Sequence, residues 1–241
     1  MADRLSGFTG GQEFEERERI SRFAVLISDI GTGSNLQALI DASENGSLPQ
    51  GSIKLVISDS PEANGLLRAG AHGVPAHISL REGKIGSPER NVYSQRLAEF
   101  LNINGITVAV MAGFGTIVSD SFHEIFNGVS VNVHPGAIPD NEDTPLLYPD
   151  GSPIPWNQGR MTEKAVANFL GQPSAHCTVH VVTRKTDFGP VLARGETQCI
   201  EGDTVKLLYG RLKLEEHKAL IESLKDVRRI YELAGKALPL F

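Results

Sequence analysis

Cysteine is scarce: Cys177 and Cys199 are the only two in 241 residues, they lack CxxC spacing, and both sit in apolar, strand-like surroundings. That argues against a disulfide framework or a thiolate metal centre and leaves buried, reduced thiols. Clustered positive charge is missing too. With 23 Lys and Arg against 29 Asp and Glu, a net charge of −6 and no run of cations, the chain offers no surface suited to neutralising phosphodiesters, so no nucleic-acid partner is expected. No apolar run reaches the roughly 18 residues that mark a membrane span, and the first 22 residues mix both charges instead of running basic then apolar. No membrane partner is expected, and a soluble, cytoplasmic chain is. Repeats and low-complexity tracts are likewise lacking. What is present, 40% hydrophobic and 22% charged residues, is enough to bury a core.

Residues 1–22 hold Gly7, Gly10, Gly11 and the charged run from Glu13 to Arg19, a composition that predicts a flexible N-terminal tail ahead of a single domain over 23–241. From Phe23 the pattern alternates. A continuous apolar run at 23–27 leads into Gly31 and Gly33, the signature of a buried parallel strand and a tight turn. Ser34 or Asn35 then caps a helix with Leu36, Leu39 and Ile40 on one face and Gly46 beyond its end. A strand at 53–57, a helix starting at Ser60-Pro61 and ending near Gly70 or Gly73, and a short strand at 75–78 make the next unit. Ser87-Pro88 opens a helix to about Leu101, and 107–111 is another buried strand.

Such alternation builds a parallel sheet with helices on both faces, whose ligands sit beyond the carboxyl ends of the strands. The second half departs from it. Residues 177–182 and 190–200 are strand-like with no helix between them, which predicts an antiparallel pair. A long helix over 204–234, capped by Asp203 or Thr204, closes the chain.

Three stretches carry chemistry. Along residues 129–135 polar and apolar residues alternate until Pro135 ends the strand, so Ser130, Asn132 and His134 share one face. An amide and an imidazole set side by side supply two hydrogen-bond donors aimed at one point, as a developing oxyanion requires. Next, Asp187 lies in a turn between strand-like segments, after His180, where its carboxylate can return toward the imidazole of His134. Last, Gly31-Thr-Gly33-Ser34-Asn35 between the first strand and its helix presents backbone N–H groups to an anion, although it has neither a Walker lysine nor the third glycine of a dinucleotide fingerprint.

Taken with Met111-Ala-Gly-Phe114, Asn132-Val-His134-Pro135, Val179-His180, Asp187-Phe188-Gly189-Pro190 and Glu216-His217, these segments give the chain a resemblance to the folate-dependent glycinamide ribonucleotide formyltransferases, from about Phe23 to Leu224. The resemblance implies a Rossmann-like α/β fold, a mostly parallel sheet with an antiparallel C-terminal portion. It implies transfer of the formyl group of 10-formyltetrahydrofolate to glycinamide ribonucleotide in purine biosynthesis, without a metal, by a monomer or homodimer whose partners are small molecules. In that scheme Asn132, His134 and Asp187 are catalytic with His180 in support. Gly33, Ser34, Asn35, Pro135 and Glu216 bind the ribonucleotide, and Phe114, Gly115, Thr116, Ile117, Val118, Phe188 and Gly189 bind the folate.

The sequence departs from that family at three places. The turn from Asp29 to Gly33 is about two residues longer than expected. Gly115-Thr116 stands where many members carry a larger residue and then an arginine. A proline-rich, acidic loop over 139–157 follows the catalytic strand and reads as a surface excursion or as a lid. Competing readings are formyl transfer to another amine such as an amino sugar nucleotide, hydrolysis of 10-formyltetrahydrofolate, and a nucleotide-binding regulator without catalysis. The hydrolases of this type carry an extra N-terminal regulatory domain, which 22 residues are too few to form.

Overall fold

A computed structural model of the protein describes residues 17–239. The first apolar run forms β1 (Phe23–Ile27), with all five residues buried. Their alternation serves two sides of one sheet: Phe23, Val25 and Ile27 join one core cluster, Ala24 and Leu26 the other. Around it lie β2 (Ile53–Ser58), β3 (Ala76–Ile78), β4 (Val108–Met111), β5 (Val129–His134), β6 (Ser174–Val181) and β7 (Val191–Gln198), in the order β3-β2-β1-β4-β5-β6-β7. The first five strands run parallel, while β5–β6 and β6–β7 are antiparallel. β1 pairs β2 on one side and β4 on the other. The strand order therefore reverses there, which is where the ligands of such sheets bind.

Helix α1 (Ser34–Glu44), α2 (Asn64–Ala71), α3 (Pro88–Ile103), α4 (Asp120–Ile125), α5 (Thr162–Ala167), α6 (Val205–Leu224) and α7 (Val227–Leu233) cover the sheet. Leu36, Leu39 and Ile40 of α1 share the first core cluster with Leu220 and Leu224 of α6 and with Ile230 of α7. Tyr93, Leu97 and Leu101 of α3 and Phe122 of α4 fill the opposite side. Each fully buried leucine there is worth roughly 2–5 kcal/mol against truncation to alanine. Among the described residues no helix is long and apolar enough to cross a membrane.

Several local expectations need correction. Residues 17–20 are helical, Ile20 is buried, and its carbonyl accepts from Thr107 Oγ1, so the end of the expected tail is docked; residues 1–16 lie outside the described residues. The cap of α1 is Gly33 in the left-handed region, not Ser34 or Asn35. α2 starts at Asn64 because Pro61 is spent in a turn. The C-terminal helix is two: Asp226 interrupts it and accepts from Arg229 N as the cap of α7. Short α4 and α5 offered too few turns for a periodic signal. The caps at Ser87 and Thr204 form, each side chain accepting from the N–H three residues on.

Candidate active site

The β5–β6 register sets Asn132 opposite His180 and His134 opposite Thr178. Asn132 Nδ2 lies 3.4 Å from His180 Nε2, and His180 Nδ1 lies 2.9 Å from the Val181 carbonyl. A carbonyl accepts only from a protonated nitrogen, so Nδ1 carries the hydrogen and Nε2 is the acceptor. Burial pushes the His180 imidazolium down to about 4, so the ring is neutral at pH 7. It takes one N–H of the Asn132 amide. The second N–H remains for the cleft.

His134, 3% exposed, uses both ring nitrogens: Nε2 is 2.9 Å from the Trp156 carbonyl and Nδ1 is 3.4 Å from Asp187 Oδ1. Asp187 thus approaches His134. It does so from a left-handed backbone, φ 47, with Oδ2 accepting from Gly159 N at 2.8 Å and its own carbonyl accepting from Trp156 Nε1 at 2.7 Å. The two donors expected from Asn132 and His134 are therefore divided. The amide faces the cleft together with His180 and Asp187, while both nitrogens of His134 are engaged behind them. Trp156 and Gly159 are the residues that sequence reasoning missed; the signal was the single tryptophan closing the proline-rich loop.

That loop is folded and packed. Short bridges Asn141–Thr144 and Leu147–Pro153 fold it on itself, Tyr148 Oη donates to the Ser174 carbonyl, and Ala137 N donates to the Pro155 carbonyl. Pro135 contributes a carbonyl that accepts from Asn157 Nδ2.

The cleft, about 100 Å³, is walled by Met111, Phe114, Ile117, Val118 and Val182 on its apolar side. Of the residues expected to bind the folate, Thr116 is buried and gives its hydroxyl to Asp59 Oδ2. Gly115 N donates to Ser28 Oγ, the Phe188 ring packs 5.5 Å from that of Trp156, and Gly189 is pressed against the Val181 carbonyl. These three support the walls. Arg184 also lines the cleft and pairs with Asp120 and Glu124 across its mouth.

The glycine turn lies at the carboxyl end of β1. A Cβ on Gly33 would come within 2.9 Å of Gly65 Cα, so two glycines allow the turn and α2 to meet. Asn35 Nδ2 donates to Glu216 Oε2 at 3.2 Å, while Asn35 Oδ1 is buried without a partner. Glu216 is 2% exposed, and burial raises its carboxyl to about 7. Two cations missed in the sequence flank the turn: Arg68 Nε donates to the Thr32 carbonyl and Lys213 Nζ to Thr32 Oγ1, at 3.0 and 3.2 Å. Lys213 stands one helical turn before Glu216, a spacing legible on α6. Ser34 makes no side-chain cap.

Residues 21–224 match the formyl transferase family model. The chain is 31% identical over 194 residues to the phosphoribosylglycinamide formyltransferase of Escherichia coli, covering 80% of each chain. It is 31% identical over 224 residues to the bovine trifunctional purine biosynthetic protein adenosine-3, covering 92% of this chain but only 20% of that protein, so it spans about a fifth of the trifunctional relative. Among solved structures, glycinamide ribonucleotide transformylase 1 from Symbiobacterium toebii superposes with a TM-score of 0.69 at 30% identity, over 93% of this chain and 92% of the other.

Proposed function

The chain belongs to the formyl transferase family, and we propose from that membership that it transfers a formyl group from 10-formyltetrahydrofolate to the amine of glycinamide ribonucleotide, as a step of purine biosynthesis. The observation that carries the reading is that Asn132 and Asp187 face one cleft, each in contact with a histidine, beyond the strand ends of the sheet. The apolar walls of that cleft suit a folate heterocycle; Thr116, spent on Asp59, leaves Arg184 as the cation beside it. The acceptor's phosphate is assigned to the Gly33 turn with Lys213 and Arg68, and its ribose to Glu216.

The folate supplies a formyl carbon on a nitrogen that can depart. When the amine attacks that carbon, the carbonyl oxygen gains charge, and the free N–H of Asn132 stabilises it without reorganising because His180 holds the amide. The amine must also shed a proton. Asp187, with His134 Nδ1 beside its Oδ1, takes that proton as the new C–N bond forms and returns it to the leaving nitrogen as the old one breaks.

The test is release of tetrahydrofolate from 10-formyltetrahydrofolate with and without glycinamide ribonucleotide. Turnover that requires the ribonucleotide is expected, falling at least about 100-fold in Asp187→Asn. Equal turnover without any amine would point to hydrolysis, and wild-type activity in Asp187→Asn would remove that residue from the mechanism.

A further inference from the structure

His134 and Asp187 are both held from one short segment, residues 156–159. The Trp156 carbonyl faces His134 Nε2 at 2.9 Å and its indole N–H donates to the Asp187 carbonyl at 2.7 Å. Gly159 N donates to Asp187 Oδ2 at 2.8 Å and Gln158 Nε2 to the Thr186 carbonyl at 2.9 Å. The segment is itself locked. Buried Asn157, at φ 62, donates to the Pro135 and Ala165 carbonyls, each at 3.0 Å, and accepts from Asn168 Nδ2 at 2.7 Å. Only glycine fits opposite it: a Cβ on Gly136 would stand 2.0 Å from the Trp156 carbonyl oxygen.

We propose that Trp156 is the positioning residue of the proton-transfer pair, its carbonyl choosing which nitrogen of His134 keeps a resident proton and its indole N–H holding Asp187 against the other. The proposal rests on the reading of His134 and Asp187 as the proton path. With Nε2–H donating to the Trp156 carbonyl, Nδ1 is the nitrogen of His134 that faces Asp187 Oδ1. The pair is therefore built to gain and lose one proton, at Nδ1 and Oδ1, and not at Nε2.

The indole's packing on Phe188 is separable from its N–H, so Trp156→Phe removes the donor and keeps a ring. Gln158 is exposed, so Gln158→Ala loosens the same turn without threatening the fold. Steady-state kinetics with 10-formyltetrahydrofolate and glycinamide ribonucleotide are combined with NMR of 15N-histidine-labelled protein, the His134 ring assigned by its loss in His134→Asn. In Trp156→Phe the expected result is a kcat about tenfold lower, both KM values within about twofold, and a displaced His134 Nδ1 resonance. Gln158→Ala should shift the same resonance less and lower kcat about threefold. A Trp156→Phe protein with unchanged kcat, or His134 resonances identical to wild type in both variants, overturns the proposal. If the wild type turns over no amine, the formyl-transfer reading fails, and the displacement of the ring resonance alone upholds or rejects the positioning role. If Trp156→Phe does not fold, the Gln158→Ala resonance decides.

Discussion

Asn132 offers its amide to the cleft only because His180 occupies one of its two N–H groups. That division predicts an order of effects. Asn132→Ala removes the proposed oxyanion donor and should lower kcat by about 10²–10³, whereas His180→Leu leaves the donor present but unaimed and should lower it about tenfold, with KM for the acceptor unchanged. Stopped-flow or steady-state rates at saturating substrate decide it, and equal losses in the two variants would contradict the division. Asn132 and His134 were legible from strand periodicity, because a two-residue repeat fixes a face. The pairing of each with its own partner was not. It depends on the β5–β6 register and on a loop that returns 22 residues later, neither of which a local pattern encodes. The return of Asp187 toward His134 was a geometric possibility in the sequence; its role rests on the family resemblance.

Elements were legible where a local rule dominates. Buried runs became β1, β2 and β4, and the serine of Ser87-Pro88 capped α3 as its chemistry requires. Boundaries failed where two local rules compete. Pro61 suits a first helical turn and equally a β-turn, and tertiary packing of Gly65 under the Gly33 turn decided for the later start. The same contact yields a test. Gly33 and Gly46 both have positive φ, 71 and 82, but only Gly33 has backbone within 4 Å of an added Cβ. Gly46→Ala should therefore cost about 1–2 kcal/mol of strain alone, and Gly33→Ala clearly more, with a raised acceptor KM. Urea titrations of the two variants measure the difference; equal losses would show that the close approach to α2 relaxes freely.

At the scale of the whole molecule, two buried titratable groups pull stability in opposite directions with pH. Burial depresses His180 from 6.5 to about 4, so its contribution is complete above pH 6.5 and is lost as pH falls toward 4. Burial raises Glu216 from 4.5 to about 7, so its contribution is complete below pH 4.5 and is lost as pH rises through 7. The carboxylate is taken out of water with a single hydrogen bond from Asn35 and Lys213 nearby, a poor exchange for its hydration. Glu216→Gln keeps the acceptor oxygen and removes the charge. The variant should match wild type near pH 4, where the carboxyl is largely protonated in folded and unfolded chains alike, and exceed it at pH 8 by on the order of 3 kcal/mol. For a chain of this size that is roughly 6–12 °C in Tm. The same variant should bind the acceptor more weakly, since Glu216 is assigned to the ribose hydroxyls. Thermal unfolding at pH 4, 5, 6, 7 and 8 separates the outcomes: parallel Tm curves would mean that the buried carboxylate carries no ionisation penalty. A gap that widens with pH, joined to a raised acceptor KM, would show stability surrendered at the site for recognition.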